Sequence, residues 1–171
     1  LENRRTKTTG GSTNAFVLDA LNTSNVLIET DASGNALWYY VYGQGMVARV
    51  NAATSAISYY HHDYRGSTAA ITDASKNVTH KYQYDDFGNL LQQQEANANP
   101  FKYVGKYGVM YEDSMLYYMR ARYYDPTIGR FLSEDPIWSV NLYPYADNNP
   151  VTNIDPFGTQ AQSLSLEAKQ Q

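Results

Sequence analysis

Thr30-Asp31-Ala32-Ser33-Gly34-Asn35, followed by Ala36-Leu37-Trp38-Tyr39-Tyr40-Val41-Tyr42, is the stretch whose reading decides the fold. Its first half is turn chemistry. An Asp side chain accepts hydrogen bonds from backbone N–H groups two residues on, and Gly34 enters positive φ without a Cβ penalty. Its second half is a strand of aromatic and aliphatic residues closed by Gly43 and Gly45. With Asn25 to Thr30 ahead of it, the stretch is a β-hairpin. The unit recurs: Thr72-Asp73-Ala74-Ser75-Lys76-Asn77 repeats the turn at an offset of 42 positions, and Tyr84 falls on Tyr42 at that offset. A period of this size marks a repeat architecture, in which hairpins hide their apolar faces by lying against neighbours.

The pattern extends outward from there. Asp63 to Gly66 and Asp85 to Gly88 are further Asp-x-x-Gly turns, and Met46 to Val50 with Ile57 to His61 form another hairpin around Asn51 to Thr54. Side chains alternate along a strand, so Tyr82 and Tyr84 share a face and are expected to start a tyrosine ladder. Leu1 to Asn14 reads as a loop, its Arg4, Arg5 and Lys7 as a solvated basic tail. Gln92 to Pro100 reads as a polar loop with room for one helical turn, and Phe101 to Gly105 as a return to strand. Met115 to Tyr124 is an aromatic strand, with Arg120 and Arg122 on one face, ending at Asp125-Pro126. Turns dominate after Gly129, and Gln160 to Gln171 is a short helix or a frayed tail. The chain divides into 1–15 (flexible), 16–100 (hairpin repeats), 101–158 (a turn-rich C-terminal module) and 159–171 (tail). The fold class is mostly β: antiparallel hairpins stacked into a curved sheet or partial shell.

Composition narrows the function. The 171 residues suffice for one domain with a core. Tyr occupies 17 positions, while charged residues are 18% and the net charge is -4, which leaves no electrostatic footprint for nucleic acid or an anionic membrane. No apolar run reaches the length of a membrane span. Cys is absent, so disulfides and thiolate metal sites are excluded. His61, His62 and His80 read as surface or turn residues rather than metal ligands, because adjacent histidines on a strand point to opposite faces. No cofactor is called for. Tyr-rich faces stack on sugars in some proteins, but sheet packing is the plainer reading here.

Tyr59-Tyr60-His61-His62-Asp63-Tyr64-Arg65-Gly66-Ser67 resembles the YD-repeat pattern, and Tyr82 to Asn89 is a second copy. Leu116 to Pro126, Gly129-Arg130-Phe131, Asp135-Pro136-Ile137, Asn141-Leu142-Tyr143 and Asn149-Pro150 through Asp155-Pro156-Phe157-Gly158 together resemble the Rhs repeat-associated core. The resemblance covers roughly residues 26 to 158. It implies β-hairpins wound into a hollow shell, with the core module closing one end, as in the C subunits of insecticidal toxin complexes and in polymorphic toxins. The implied partners are further shell segments or a toxin cargo; the implied location is secreted or cell-surface. Teneurin-like relatives imply an alternative, a YD-repeat binding module that contacts glycan or protein without catalysis. A third reading is an orphaned fragment with no activity.

The resemblance also implies self-cleavage by two aspartates. By motif position these are Asp135 and Asp155, with Arg130 holding a carboxylate or stabilising the oxyanion, and the cut falls between Thr159 and Gln160. Close carboxylates share a proton, so one can act as base on water while the other polarises the scissile carbonyl. From the residues alone, Asp-Pro is a turn dipeptide, and Asp125 wears the same dress. The chain also departs from the family pattern. Thr159 stands where Leu is usual, Trp138-Ser139-Val140 replaces a Gly-rich stretch, and only twelve residues follow the expected cut. An open sheet of few repeats is further expected to leave strand edges free to pair.

Overall fold

The computed structural model describes residues 3–112, 114–138 and 140–164. Nine strands, β1 (Thr6–Thr9), β2 (Ser12–Leu18), β3 (Val26–Thr30), β4 (Ala36–Gly43), β5 (Gly45–Asn51), β6 (Ile57–His62), β7 (Thr68–Asp73), β8 (Val78–Tyr84) and β9 (Leu90–Glu95), form one antiparallel meander in chain order. A second sheet comes next, of β10 (Met110–Tyr111), β11 (Tyr117–Met119), β12 (Arg122–Asp125) and β13 (Arg130–Phe131), and then a pair, β14 (Asn153–Ile154) with β15 (Gln162–Ser163).

One turn design is repeated. Asp31, Asp63, Asp73 and Asp85 each accept, through Oδ1, the amides two and four residues on, at 2.8 to 2.9 Å. Asn35, Asn77 and Asn89 donate their side-chain amides to the second carboxylate oxygen. The side chain thus satisfies backbone donors that the reversal of the chain leaves unpaired.

The cross-strand register places Tyr40, Arg49, Tyr60, Ile71, His80 and Tyr82 on the inner face, where all are buried. That face closes over Phe101 and Met110. Tyr82 and Tyr84 share it with their rings 6.3 Å apart and nearly parallel, as the alternation requires. A second core, built on Tyr103, Tyr117, Tyr124, Phe131 and Tyr145, fills the C-terminal module. The two halves are joined at the Asp85 turn. Tyr103 donates its hydroxyl to Asp86 O (3.1 Å), Tyr124 to Phe87 O (2.7 Å) and Tyr117 to Gly88 O (2.8 Å). Gly88 has φ 93°, and a Cβ there would meet the Tyr103 ring at 2.6 Å.

Six sequence expectations are corrected. Residues expected to be a flexible segment over 1–15 form the β1–β2 hairpin, because Gly10-Gly11 at φ 54° and 83° make a tight turn between Thr-rich strands. The basic residues there are not a free tail: Arg4 pairs with Glu112 at 3.1 Å and lies 3.9 Å over the Tyr118 ring, and Lys7 donates to Tyr111 O at 2.8 Å. The glutamines read as loop belong to β9, whose backbone pairs with β8 while Gln92 to Gln94 face solvent at the sheet's edge. Phe101 to Gly105 is not a strand. It fills the inner face as a plug, turning at Val104 (φ 53°) into a 3-10 turn over Gly105–Tyr107. Met115 to Tyr124 is a hairpin rather than one strand, because Arg120 takes φ 58° at its turn. At the C-terminus, Gln162–Ser163 pairs with β14, while residues 165–171 lie outside the described residues.

Candidate functional site

β12 projects an arginine inward among packed aromatic side chains. Arg122 is 3% exposed, and its guanidinium lies 3.7 Å over the Phe131 ring. A buried charge must find counter-charges and acceptors. Arg122 donates Nε to Gly158 O (2.6 Å) and Nη1 to Leu142 O (2.8 Å). Its Nη2 faces two carboxylates, Asp135 Oδ2 at 2.7 Å and Asp155 Oδ2 at 3.5 Å. The two aspartates named from the sequence are therefore brought together, with one nitrogen between them.

Their surroundings differ. The Asp155 side chain is 3% exposed and that of Asp135 14%. Asp155 sits in the turn that ends at Gly158, whose φ of 66° and close approach to Met119 O (2.7 Å from an added Cβ) leave no room for a side chain. Asp155 Oδ1 accepts the Thr159 amide at 3.1 Å. Burial pushes the Asp155 carboxyl above the usual carboxylate range, opposed by the amides of Thr159 and Gln160, by Arg122 and by the Gly158 amide. Burial likewise lowers Arg122 from its ordinary value, against the pull of Asp135 and Asp155. Asp135 caps its own turn by accepting the Ile137 amide at 2.8 Å, and its amide donates to Leu142 O at 2.9 Å. The arrangement places one carboxylate, deeply buried, against the backbone nitrogens of residues 159 and 160, and a second, nearer solvent, across a guanidinium.

Arg130 does not join them. Its side chain is exposed on β13, where its backbone pairs with Asp125 and Pro144. Arg122 holds the position expected of Arg130. A usable signal was present in the sequence: a charge inside the aromatic run Tyr117 to Tyr124, on a segment too apolar to face water. His61 and His62 lie on opposite faces, His61 bonding Thr72 Oγ1 at 2.9 Å. Among the described residues no group of three or more His, Cys, Asp or Glu is arranged to hold a metal ion. No helix there is long and apolar enough to cross a membrane.

The chain is 36% identical over 167 residues to the tRNA(Glu)-specific nuclease WapA of Bacillus subtilis subsp. natto, covering 91% of this chain and 7% of that protein. It is 33% identical over 105 residues to the toxin protein Tse5 of Pseudomonas aeruginosa, covering 60% of this chain and 8% of that one. Among solved structures, the Tc holotoxin pore of Photorhabdus luminescens matches with a TM-score of 0.66 and 22% identity over 88% of this chain and 8% of that chain. The TcdB2-TccC3-Cdc42 structure matches with a TM-score of 0.65 and 20% identity over 90% of this chain and 8% of that chain. The chain thus spans under a tenth of the length of these relatives. Residues 4–151, a span that takes in the whole nine-strand meander, match the teneurin YD-shell family: the chain belongs to the teneurin YD-shell family.

Proposed function

We propose that this chain is wall and end-piece of a toxin-enclosing YD shell, and that it cuts itself after Thr159. The observation that carries the reading is the Asp135–Arg122–Asp155 cluster with Asp155 against the Thr159 amide. In this scheme Asp135, paired with Arg122 Nη2 at 2.7 Å, takes a proton from a water that attacks the Thr159 carbonyl carbon. Asp155, whose carboxyl burial favours in the protonated form, gives its proton to the Gln160 nitrogen as the Thr159–Gln160 bond breaks. The products are a Thr159 carboxylate and a free Gln160 amine. Arg122 fixes the separation of the two carboxylates and offsets the negative charge as it passes from Asp135 to Asp155. The toxin names among the relatives support the enclosing role, and export or surface display accords with it.

Intact-mass measurement of freshly purified protein tests the chemistry. Loss of a fragment beginning at Gln160, abolished in Asp155→Asn and in Asp135→Asn, is the expected result. An uncut wild-type chain, still uncut after prolonged incubation across mildly acidic and neutral pH, removes the cleavage scheme.

A second reading is a binding module in which the same cluster is only a clamp. Two of the Arg122 contacts are to backbone carbonyls, which favours it. It predicts no cut, and a glycan or protein partner.

A further inference from the structure

The nine-strand sheet ends on β9, and among the described residues no strand lies along its far side. The register tells which backbone groups point there. β9 pairs Gln92 with Gln83 and Glu95 with His80, and the Ala96 amide carries the ladder onto Thr79 O at 3.2 Å. In an antiparallel pair, residues that exchange hydrogen bonds alternate with residues that do not. Gln92, Gln94 and Ala96 therefore turn their N–H and C=O groups toward β8, and Gln93 and Glu95 turn theirs outward. A bulge at Leu91, where the register shifts, bounds this regular run on one side. On the other side the chain leaves the sheet and crosses its inner face: His80 Nε2 meets Asn97 O, and Arg49 Nη1 donates to Ala98 O, both at 2.9 Å. The edge is thus left uncovered, and Leu91 to Gln94 are all exposed.

An outward row of N–H and C=O groups at strand spacing is a template for one more strand. The side chains favour a copy of β9 itself. Leu90 to Ala96 holds no Pro and no Lys, the residues that commonly blunt an edge. Its one charge, Glu95, is tied down on the inner face by Lys102 Nζ at 3.0 Å and by the Tyr82 hydroxyl at 2.6 Å. The opposite edge of the sheet is unlike it. β1 is short and brings Arg5 and Lys7, so a copy laid antiparallel on it sets cations against cations. On β9 the groups that meet are glutamine amides, each both donor and acceptor and so complementary to its own kind.

We infer that β9 is a self-association edge, at which two copies of the chain join their sheets through an antiparallel β9–β9 pair about a two-fold axis at Gln94. In that register Gln93 of one copy exchanges backbone hydrogen bonds with Glu95 of the other, and Gln94 lies opposite its own copy. No two carboxylates face each other. Pairing one edge with itself closes after two copies. The Arg122 cluster takes no part, so the association is independent of the cleavage reading.

An edge contact buries less than a standard interface, which puts the expected dissociation constant in the micromolar to millimolar range. Sedimentation equilibrium of the full chain from about 10 μM to about 1 mM covers it. The average mass should rise reversibly toward that of two chains and stop there. Gln93→Pro removes an outward N–H and spares the β8 ladder, a placement that edge strands tolerate. Gln94→Lys sets two ammonium groups against each other at the axis. Each should weaken association by about 10-fold or more, with the melting curve of the parent. The chain has no Cys, so a single introduced thiol reports the register. Opposed residues of a non-hydrogen-bonded pair bring their Cβ atoms to about 4.5–5.5 Å, close enough for a disulfide to form with a small shift, whereas the two Gln92 positions stand about 13 Å apart along the strands. Mild oxidation should link Gln94→Cys into covalent dimers and leave Gln92→Cys unlinked. The inference is overturned if the mass stays that of one chain at about 1 mM, if it grows past two chains, if neither Gln93→Pro nor Gln94→Lys lowers it, or if the two Cys variants cross-link alike.

Discussion

Replacing Arg122 with Met keeps the length of the side chain and its contact with Phe131, and removes the charge between Asp135 and Asp155. The consequences are threefold. Asp155, 3% exposed at its side chain, is left with no arginine beside it. Gly158 O and Leu142 O lose donors at 2.6 and 2.8 Å. Removing one partner of a buried ion pair typically destabilises by about 3–5 kcal/mol, because the remaining charge stays desolvated. Part of this is recovered as Asp155, no longer opposed by Arg122, moves further toward the protonated form that burial favours, and Asp135, nearer water, loses little. A net loss of about 3 kcal/mol is therefore expected, which for a chain of this length is about 6–12 °C in melting temperature. Asp155→Asn in the Arg122→Met background should restore about 1–2 kcal/mol, since a neutral amide needs no counter-charge. Urea unfolding at neutral pH, followed by circular dichroism, measures all four corners of the cycle. If Arg122→Met alone falls by less than about 1 kcal/mol, or if the second substitution adds to the loss, the cluster is not a buried, mutually dependent unit.

Gly88→Ala should destabilise by about 2 kcal/mol or more, because the new Cβ meets the Tyr103 ring at 2.6 Å in a left-handed conformation; thermal melts test this. Asp85→Ala should cost about 1–2 kcal/mol and Asp31→Ala distinctly less, although both make the same turn. The Asp85 turn carries three tyrosine hydroxyls, and equal losses in denaturant titrations would refute that distinction. His62 supplies a pH dependence: burial, with Lys106 and His61 adding to it, lowers its pKa to about 4. A depressed histidine contributes stability that is complete above its unfolded value near 6.5 and is lost as pH falls through the folded value. Its Nε2 is buried without a partner and its ring stacks on Tyr60, so His62→Phe should be neutral or stabilising at pH 7 and should flatten the stability profile between about pH 6.5 and 4. An unchanged acid limb in that variant places the titration elsewhere.

The sheet was legible because its signals are local. An Asp that reaches two and four residues ahead, a Gly at positive φ and alternating aromatics all act within one hairpin, and the repeat at Asp31 and Asp73 announces the stacking. What the sequence concealed depends on partners far along the chain. The glutamines of β9 have weak strand preference, and only the neighbouring β8 ladder makes them extended. Arg4 and Lys7 look solvated until Glu112 and Tyr118 are brought up beside them. Asp135 and Asp155 could be picked out by motif, but the choice of arginine could not be made from spacing. Arg122 and Arg130 both flank aromatic residues, and which one turns inward is set by the β12–β13 register, in which Asp125 sits opposite Arg130 and Tyr124 opposite Phe131. Inward-facing Tyr124 is buried, and Arg122, two residues earlier, shares its face.

The same register ties the candidate chemistry to the completeness of the wall. Arg122 is held by β12, β12 is positioned through Tyr124, and the Tyr124 hydroxyl is fixed on the carbonyl of Phe87 in the last hairpin turn of the nine-strand sheet. Tyr117 on β11 is tied to Gly88 in the same way. A chain whose β8–β9 turn has not formed lacks these anchors, so the guanidinium that must sit between Asp135 and Asp155 has no fixed place. Self-cleavage, under the scheme proposed, is thereby conditional on a closed hairpin array, and loosening that array at a distance should slow the cut without touching either aspartate. Asp85→Ala tests the dependence. In protein refolded from denaturant, the fraction cut at a fixed time should drop well below that of Asp31→Ala, whose turn bears no tyrosine from the C-terminal module. Equal cutting in both variants would separate the site from the sheet and leave the tyrosine contacts with a purely structural role.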